Sequence, residues 1–231
     1  MKKLILTAAL AACVQQAYAV DIKAGDWTVS IGGIVNAYYT GVGCSGDDIG
    51  GIALAGRALG CGGQDRRTTV GNGLLPNALI TSVSSTQGGY DVGATIGLYP
   101  ATATDSAISQ NSEIDARQAF FTFGNATIGT VKLGRDYGIF SHNAILSDMT
   151  LIGAGAPVQA TQRGRVTLGH LGAGYNWPGI YGQIAYTTPK NDNGISVDVG
   201  IMSPVTDTPI VAASRYSTRS ARQFQGRVQY D

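Results

Sequence analysis

The sequence is poor in the residues that carry enzymatic chemistry and in the charge that attracts polyanions. It contains two histidines and three cysteines in 231 residues, and charged residues make up only 13% of the chain. No His-Glu-x-x-His metal motif, Walker phosphate loop or Gly-x-Ser-x-Gly nucleophile elbow occurs. These absences disfavour an enzyme and give no candidate residues for a metal or another cofactor. The formal charge of +1 disfavours a nucleic-acid partner.

Long apolar runs are missing as well, once the N-terminal segment is set aside. Beyond residue 19 no run approaches the about 18 apolar residues of a membrane helix, and helical periodicity is scarce. Glycine is frequent, with 33 of 231 residues, and short runs alternate between apolar and polar side chains. Such a chain is either a soluble all-β protein or a membrane β-barrel.

The N-terminus has the layout of a secretory signal over residues 1–19. Met1–Lys3 is charged, residues 4–14 are apolar, and Ala17–Ala19 reads Ala-Tyr-Ala, a small-residue cleavage site. Cleavage there would remove two lysines and take the formal charge from +1 to −1. Cleavage before Cys13, as in a lipoprotein, is the alternative, but it leaves a very short apolar segment. Both readings predict export from the cytoplasm.

Eight segments alternate well enough to predict strands. They cover residues 26–40, 78–86, 89–99, 115–123, 127–137, 180–188, 194–202 and 223–231. Short turns at 87–88, 124–126 and 189–193 alternate with long loops at 41–76, 100–113, 138–178 and 203–222. A strict short-long rhythm is typical of transmembrane barrels, whereas a soluble sandwich does not predict it.

The most informative segment is Asp115–Phe140, DARQAFFTFGNATIGTVKLGRDYGIF. Its sequence motifs, RQAFF followed by a short turn and then GTVKLGRDYG, resemble those of the general porins of Gram-negative bacteria. The resemblance implies an all-β protein, a transmembrane antiparallel β-barrel of sixteen strands, of which residues 20–231 would cover about the first eight. It also implies a homotrimer in the outer membrane, in contact with lipid and lipopolysaccharide. The implied activity is passive diffusion of small hydrophilic solutes and ions, without enzymatic chemistry.

In that family the long loop that begins after GRDYG folds into the pore. The resemblance therefore predicts an inserted loop over about 138–178, and it places Arg117 in the lumen at the constriction. Lys132 is predicted to face the lumen as well. For Arg135 two readings stay open, because strict alternation places it on the face of Val131 and Leu133, whereas the resemblance keeps it at the root of the loop.

Within the loop, Asp148 is the only acid between Phe140 and Trp177, and it is accompanied by several cations and both histidines. One acid facing several cations predicts a bias towards anions. The alternative is that these side chains pair with one another and hold the loop. The predicted pore-lining set is Arg117, Lys132, Asp148, Arg135, Arg163 and Arg165.

Two further cysteines, Cys44 and Cys61, lie in the first long loop. Two cysteines in an oxidising compartment predict a disulfide, which would stabilise by about 3 kcal/mol through loop closure. Two unpaired thiols are the alternative, and a metal site lacks further ligands.

Three rival functions are also compatible with the sequence. The first is a non-conducting adhesin or structural barrel of the outer membrane, the second a barrel enzyme such as a lipase or protease, and the third a soluble secreted β-protein. The sequence stops at Asp231 near the end of a predicted strand. A closed eight-stranded barrel is filled by its own side chains and has no room for a long inserted loop. We therefore expect the chain to represent part of a larger barrel.

Overall fold

The computed structural model describes residues 19–43, 45, 65–73, 76–102, 114–140, 142–143, 147, 179–203 and 221–230. Eleven β-strands run through them: β1 (Val20–Ala24), β2 (Trp27–Ile34), β3 (Tyr38–Gly43), β4 (Arg66–Gly71), β5 (Ala78–Gln87), β6 (Tyr90–Pro100), β7 (Ile114–Asn125), β8 (Gly129–Tyr137), β9 (Ile180–Thr187), β10 (Ile195–Met202) and β11 (Gln223–Tyr230). Nine strands form one sheet in the order β1-β2-β5-β6-β7-β8-β9-β10-β11, and β3 pairs with β4 in a separate ribbon. Every pairing is antiparallel. These ranges contain no helix that is long and apolar enough to cross a membrane.

One face of the nine-stranded sheet, called here the apolar face, is hydrophobic from edge to edge. A single register row crosses all nine strands through Ile22, Val29, Val83, Ala94, Phe121, Leu133, Ile184, Ile201 and Phe224. Several of these side chains are strongly exposed, including Phe224 at 70% and Ile184 at 56%. Apolar surface of this extent is far beyond what a soluble protein shows to water. It is the arrangement expected where strands face lipid.

The opposite face, called here the polar face, divides into two regions. On β2, β5 and β6 it is lined mainly by hydroxyl groups, among them Ser30, Ser82 and Thr95 in one register row, where the Ser82 and Thr95 hydroxyls lie 2.9 Å apart. On β7, β8, β10 and β11 it carries charged residues. Alternation with a period of two residues is the reason that a single sheet separates the two kinds of side chain so completely.

The turns confirm the predicted alternation of short and long connections. Residues 25–26, 88–89, 126–128 and 188–194 connect strands at one end of the sheet, and the longer connections lie at the other end. Gly88 and Gly89 both have positive φ angles, 57° and 83°, which a two-residue hairpin turn requires and glycine adopts without strain. The all-β, antiparallel fold predicted from the sequence is therefore confirmed.

The predicted number of strands was too low. The sheet has nine strands, because Val20–Ala24 forms β1 and pairs with β2 through the tight turn at Gly25. Five residues directly after a predicted cleavage site are too few for an alternation pattern to stand out. In the described part of the chain β1 and β11 are the two edges of the sheet.

The strand predicted over 26–40 is also interrupted, at residues 35–37. There, hydrogen bonds of Asn36 take the place of strand-to-strand hydrogen bonds. The Asn36 backbone N–H donates to Asn77 Oδ1 at 2.6 Å, and the Asn36 side-chain oxygen accepts from the Gly73 N–H at 2.7 Å. Asn72, which is buried, and Thr102, which is half-buried, complete the cluster through two mutual hydrogen bonds. Amide side chains thus satisfy the backbone where β2 gives way to β3 and the β3–β4 ribbon begins.

Candidate functional site on the polar face

A β-bulge in β7 determines where Arg117 lies. Gly97 of β6 pairs with Gln118, whereas the next residue, Leu98, pairs with Ala116, so Arg117 is the extra residue of the bulge. Strict alternation from Phe121 and Ala119 would have placed Arg117 on the apolar face. The extra residue instead brings Arg117 and Gln118 to the polar face together.

Arg117 is enclosed by its neighbours. Its Nε donates to Asp115 Oδ2 at 2.7 Å, and its guanidinium carbon lies 4.9 Å from the centre of the Tyr99 ring. Only 1% of the residue is exposed. An arginine in this setting is a fixed positive charge with a carboxylate beside it, so it organises the wall of the site more than it extends into the open space.

Asp136 is the second centre of the polar face. It accepts from Lys132 Nζ at 2.6 Å and from Gln118 Nε2 at 2.9 Å. Gln118 in turn accepts from the Tyr99 hydroxyl at 2.6 Å. Because Tyr99 also lies against the guanidinium of Arg117, the two ion pairs belong to one connected network across β6, β7 and β8.

A third ion pair lies at the other side of the sheet. Arg227 on β11 donates through Nε to Asp198 Oδ2 on β10 at 2.8 Å. Asp198 also accepts from Thr187 Oγ1 at 2.6 Å and from Gln229 Nε2 at 3.1 Å. These donors satisfy the Asp198 carboxylate, although its side chain is only 8% exposed.

The chain that leaves β8 turns onto the polar face of β9, β10 and β11. The backbone N–H of Phe140 donates to Gln225 Oε1 at 3.0 Å, and Arg227 Nη1 donates to Asn143 Oδ1 at 2.7 Å. Ile139, which is 7% exposed, packs with Ala185 and Met202 in a small buried apolar cluster. Residues 138–140 and 142–143, called here the entry segment, therefore lie against the charged side of the sheet.

Small residues make this turn of the chain feasible. Gly138 N donates to Gly179 O at 2.8 Å, which closes the base of the connection between β8 and β9. A Cβ on Gly138 would lie 2.8 Å from Gln225 Oε1 and 2.9 Å from the Tyr181 ring, and a Cβ on Gly179 would lie 2.4 Å from that ring. Side chains at these two positions would push the entry segment away from the sheet.

His142 is the titratable group of the entry segment that contacts the wall. Its Nδ1 lies 3.4 Å from Arg227 Nη1, and its ring packs edge-on against Tyr137. Burial first, and then the positive charge of Arg227, lower the pKa of His142 below its ordinary value of 6.5. The docked segment therefore favours the neutral imidazole.

Lys132 and Arg117 are the predicted pore-lining residues that the structure brings to the polar face. Asp148, Arg163, Arg165, the two cysteines Cys44 and Cys61, and most of the loop predicted over 138–178 lie outside the described residues. The expected pairing of the wall cations with Asp148 is therefore untested. Within the described residues, Arg117 pairs with Asp115 and Lys132 pairs with Asp136.

The strand register also gives the position of Arg135, for which the sequence left two readings open. Arg135 pairs with Ala119 on β7 and with Gly182 on β9, and this row lies on the apolar face, next to the row that contains Phe121 and Ile184. Lys132 and Asp136 have the other parity and lie on the polar face. This position agrees with strict alternation, and the pore-lining role of Arg135 stays a prediction.

Sequence reasoning missed the acids of the site. Asp115, Asp136 and Asp198 were read only as members of alternating strands, although Asp115 lies two residues before Arg117 and Asp136 four residues after Lys132. Those spacings were available signals, since residues two or four apart lie on one face of a strand. The pairing of Asp198 with Arg227 joins residues 29 positions apart and had no such signal.

Comparison with known proteins agrees with this architecture. A family model described as Gram-negative porin matches residues 5–231. No curated protein and no solved structure matches the chain. The family match covers nearly the whole sequence, and the sheet has one apolar and one polar face, as the wall of a membrane barrel requires. The chain therefore belongs to the Gram-negative porin family, whose members are β-barrel proteins of the bacterial outer membrane.

Proposed function

We propose that the protein forms a water-filled channel through which small hydrophilic solutes and ions diffuse passively, and that it performs no enzymatic chemistry. The observation that carries this proposal is the entry segment on the polar face. A chain that turns from β8 onto the polar face and is held there by Gln225, Arg227 and Met202 would narrow the lumen of a barrel closed around that face. The remainder of the predicted inserted loop, to residue 178, would complete the constriction.

The charges of the wall bear on selectivity. Arg117, Lys132 and Arg227 each have a carboxylate within 2.8 Å, so each pair adds little net charge to the lumen. The anion bias that we propose then depends on the loop, in which Arg163 and Arg165 outnumber Asp148. A reversal potential that favours cations in a salt gradient would contradict this bias.

Three finer features belong to the same proposal. Residues 1–19 act as a signal peptide, and the mature protein assembles as a homotrimer in contact with lipopolysaccharide. Cys44 and Cys61 form a disulfide. Support for the disulfide comes from the β3–β4 ribbon, which pairs Gly43 with Arg66 and so joins the strands on either side of the segment that contains both cysteines.

Single-channel recording tests the proposal. The full chain, purified from outer membranes and inserted into planar bilayers, is expected to give discrete conductance steps. Arg227→Gln removes the contacts to Asn143 and His142, so the entry segment should undock more often and the open current should become noisier. Val228→Ala is the matched control, because Val228 is 71% exposed on the apolar face of the same strand.

The outcomes separate the channel from its main rival. Steps in both variants, with added noise only for Arg227→Gln, would support a channel narrowed by the loop. A folded, membrane-inserted protein that carries no current would contradict conduction and favour the non-conducting adhesin or structural barrel. Equal noise in both variants would leave the channel standing but contradict the role of the entry segment.

A further inference from the structure

An open cavity of about 290 Å³ lies where the entry segment meets the ends of β9 and β11. It is lined by Phe140, Gly179 and Tyr181 together with residues 223–226 of β11. Its volume is at the lower end of the range for small-molecule sites, about 300–1,000 Å³, so it suits a solute the size of a single ring. Gln225 and the backbone of Phe140 meet on the polar face, so the cavity would open to the lumen of a barrel closed around that face.

One aromatic ring of the cavity is exposed on the polar side of the sheet. Phe140 is 60% exposed, and its backbone N–H is bound by Gln225 on the polar face. The exposed phenylalanines of β7, Phe121 and Phe123, lie on the apolar face instead. Phe140 therefore offers an aromatic surface to solutes in water, whereas the rings of β7 face the opposite way.

The second ring, that of Tyr181, is fixed in place. It packs against the small buried apolar cluster beside the entry segment. It also lies against two glycines, because a Cβ on Gly138 or Gly179 would be 2.9 Å or 2.4 Å from atoms of this ring. A wall that is already held in position loses little conformational freedom when a solute binds to it.

The polar side chains of the cavity are two neutral amides. Gln223 and Gln225 lie two residues apart on the polar face of β11, with about 7 Å between their Cα atoms. Gln225 holds the Phe140 N–H through Oε1, which leaves its Nε2 group as a donor. The side-chain amide of Gln223 has no hydrogen-bond partner among the described residues, so its donor and its acceptor are both available. No charged side chain of the described residues lines the cavity.

We propose that this cavity is a binding subsite for a neutral sugar of monosaccharide size. The C–H face of a sugar ring is apolar, and contact with the rings of Phe140 and Tyr181 removes that face from water. Each sugar hydroxyl both donates and accepts, as do the amides of Gln223 and Gln225. An ion is a poorer occupant, because it would give up hydration for a cavity without an opposite charge.

The rest of the polar face suits the same class of solute. The cations of Arg117, Lys132 and Arg227 are each paired with a carboxylate, and the region on β2, β5 and β6 is lined mainly by hydroxyl groups. A neutral solute with many hydroxyl groups finds hydrogen-bond partners there. The subsite rests on the proposed function, since it names a solute class for that channel.

Saturation-transfer difference NMR tests the subsite without any need for conduction. The full chain is purified in a nonionic detergent that has no sugar headgroup, and methyl β-glucopyranoside is the probe, because its ring presents C–H groups on both faces. Irradiation of the aromatic protons of the protein should transfer saturation to the ring protons of the glucoside, and a titration gives the dissociation constant. Sorbitol has a similar set of hydroxyl groups but no ring, so it should receive much less saturation.

Two variants assign the signal to the cavity. Gln223→Leu removes the free amide at similar bulk and should raise the dissociation constant about fivefold, as expected for one lost hydrogen bond. Phe140→Leu should raise it by a similar factor and reduce the saturation transfer. The matched controls are Gln87→Leu, at the end of β5 beside a short turn, and Phe121→Leu, on the apolar face. Both should keep the dissociation constant of the unchanged protein.

The outcomes separate the subsite from the channel. Absence of transfer to the glucoside in the folded protein, equal transfer to sorbitol, or equal losses in test and control variants would overturn the subsite. Single-channel currents recorded in parallel test conduction. A protein that conducts but does not bind the glucoside would contradict the subsite alone. A protein that binds it and carries no current would support the subsite and contradict the channel.

Discussion

Lys132 Nζ lies 2.6 Å from Asp136 Oδ2 although the two residues are four apart on one strand. Four residues of extended strand span about 13 Å, so the lysine side chain must run along the strand to reach the carboxylate. It does so past Gly134, which has no side chain in the way and a φ angle of 130°. The ion pair and the glycine are therefore parts of one local arrangement in β8.

Removal of the carboxylate in Asp136→Asn should make the channel more selective for anions. Lys132 would keep its charge without a counter-charge beside it, and fields from fixed charges are focused in a narrow channel. The anion-to-cation permeability ratio should rise on the order of twofold, measured as the reversal potential in a salt gradient. Asp91→Asn is the control, since Asp91 lies on the polar face near a short turn; equal changes in the two variants would exclude a specific role of Asp136.

Gly134→Ala should destabilise the sheet. A Cβ at this position would lie 2.3 Å from Ala119 O and 2.6 Å from Phe120 Cα, and the backbone is in a region that L-residues rarely adopt. The expected loss in the free energy of unfolding is about 2 kcal/mol or more, measured by urea titration of the detergent-solubilised protein. Gly41→Ala, whose Cβ would be 3.9 Å from Thr68 Cγ2, should change the stability by much less; equal losses would contradict the steric argument.

Most of the sheet was predictable from alternation, because one face meets lipid and the other water. The prediction for β11 was correct in detail, with Phe224, Val228 and Tyr230 on one face and Gln225 and Arg227 on the other. The pattern failed where the structure departs from a period of two. Five residues of β1 were too short to recognise, and the bulge at Arg117 shifts the parity by one residue without any mark in the sequence.

The site was less predictable than the sheet because it depends on contacts between distant segments. The family resemblance indicated Arg117 and the start of the inward loop. It did not indicate that Arg117 would be only 1% exposed, or that Arg227 would bind Asn143, 84 residues away in sequence. Pairings of that kind follow from strand order and register, which composition and spacing do not encode.

The ion pair of Arg117 with Asp115 should be the most stabilising of the polar face. Because the side chain of Arg117 is 2% exposed and that of Asp115 29%, loss of the arginine would leave a partly buried carboxylate without its counter-charge. Arg117→Ala should lower the free energy of unfolding by about 3 kcal/mol. Asp115→Asn combined with it should cost less than the sum of the two single changes, in a double-mutant cycle followed by urea unfolding. Additive losses would show that the two side chains do not act as a pair.

Acidification should release the entry segment from the wall. His142 faces Arg227 and Asn143, with Lys132 and Asp136 further away, and burial together with Arg227 lowers its pKa below 6.5. A base whose pKa is lowered in the docked state binds a proton more readily when undocked. Docking is therefore fully stable above pH 6.5 and weakens as the pH falls through the lower pKa of the docked imidazole.

Single-channel recordings between pH 7.5 and pH 4.5 would measure this effect as added current noise at the acid end. His142→Gln keeps a polar side chain of similar reach but cannot take up a proton, so its noise should not change over the same interval. If His142→Gln kept the full response to acid, the proposed role of the histidine would be wrong.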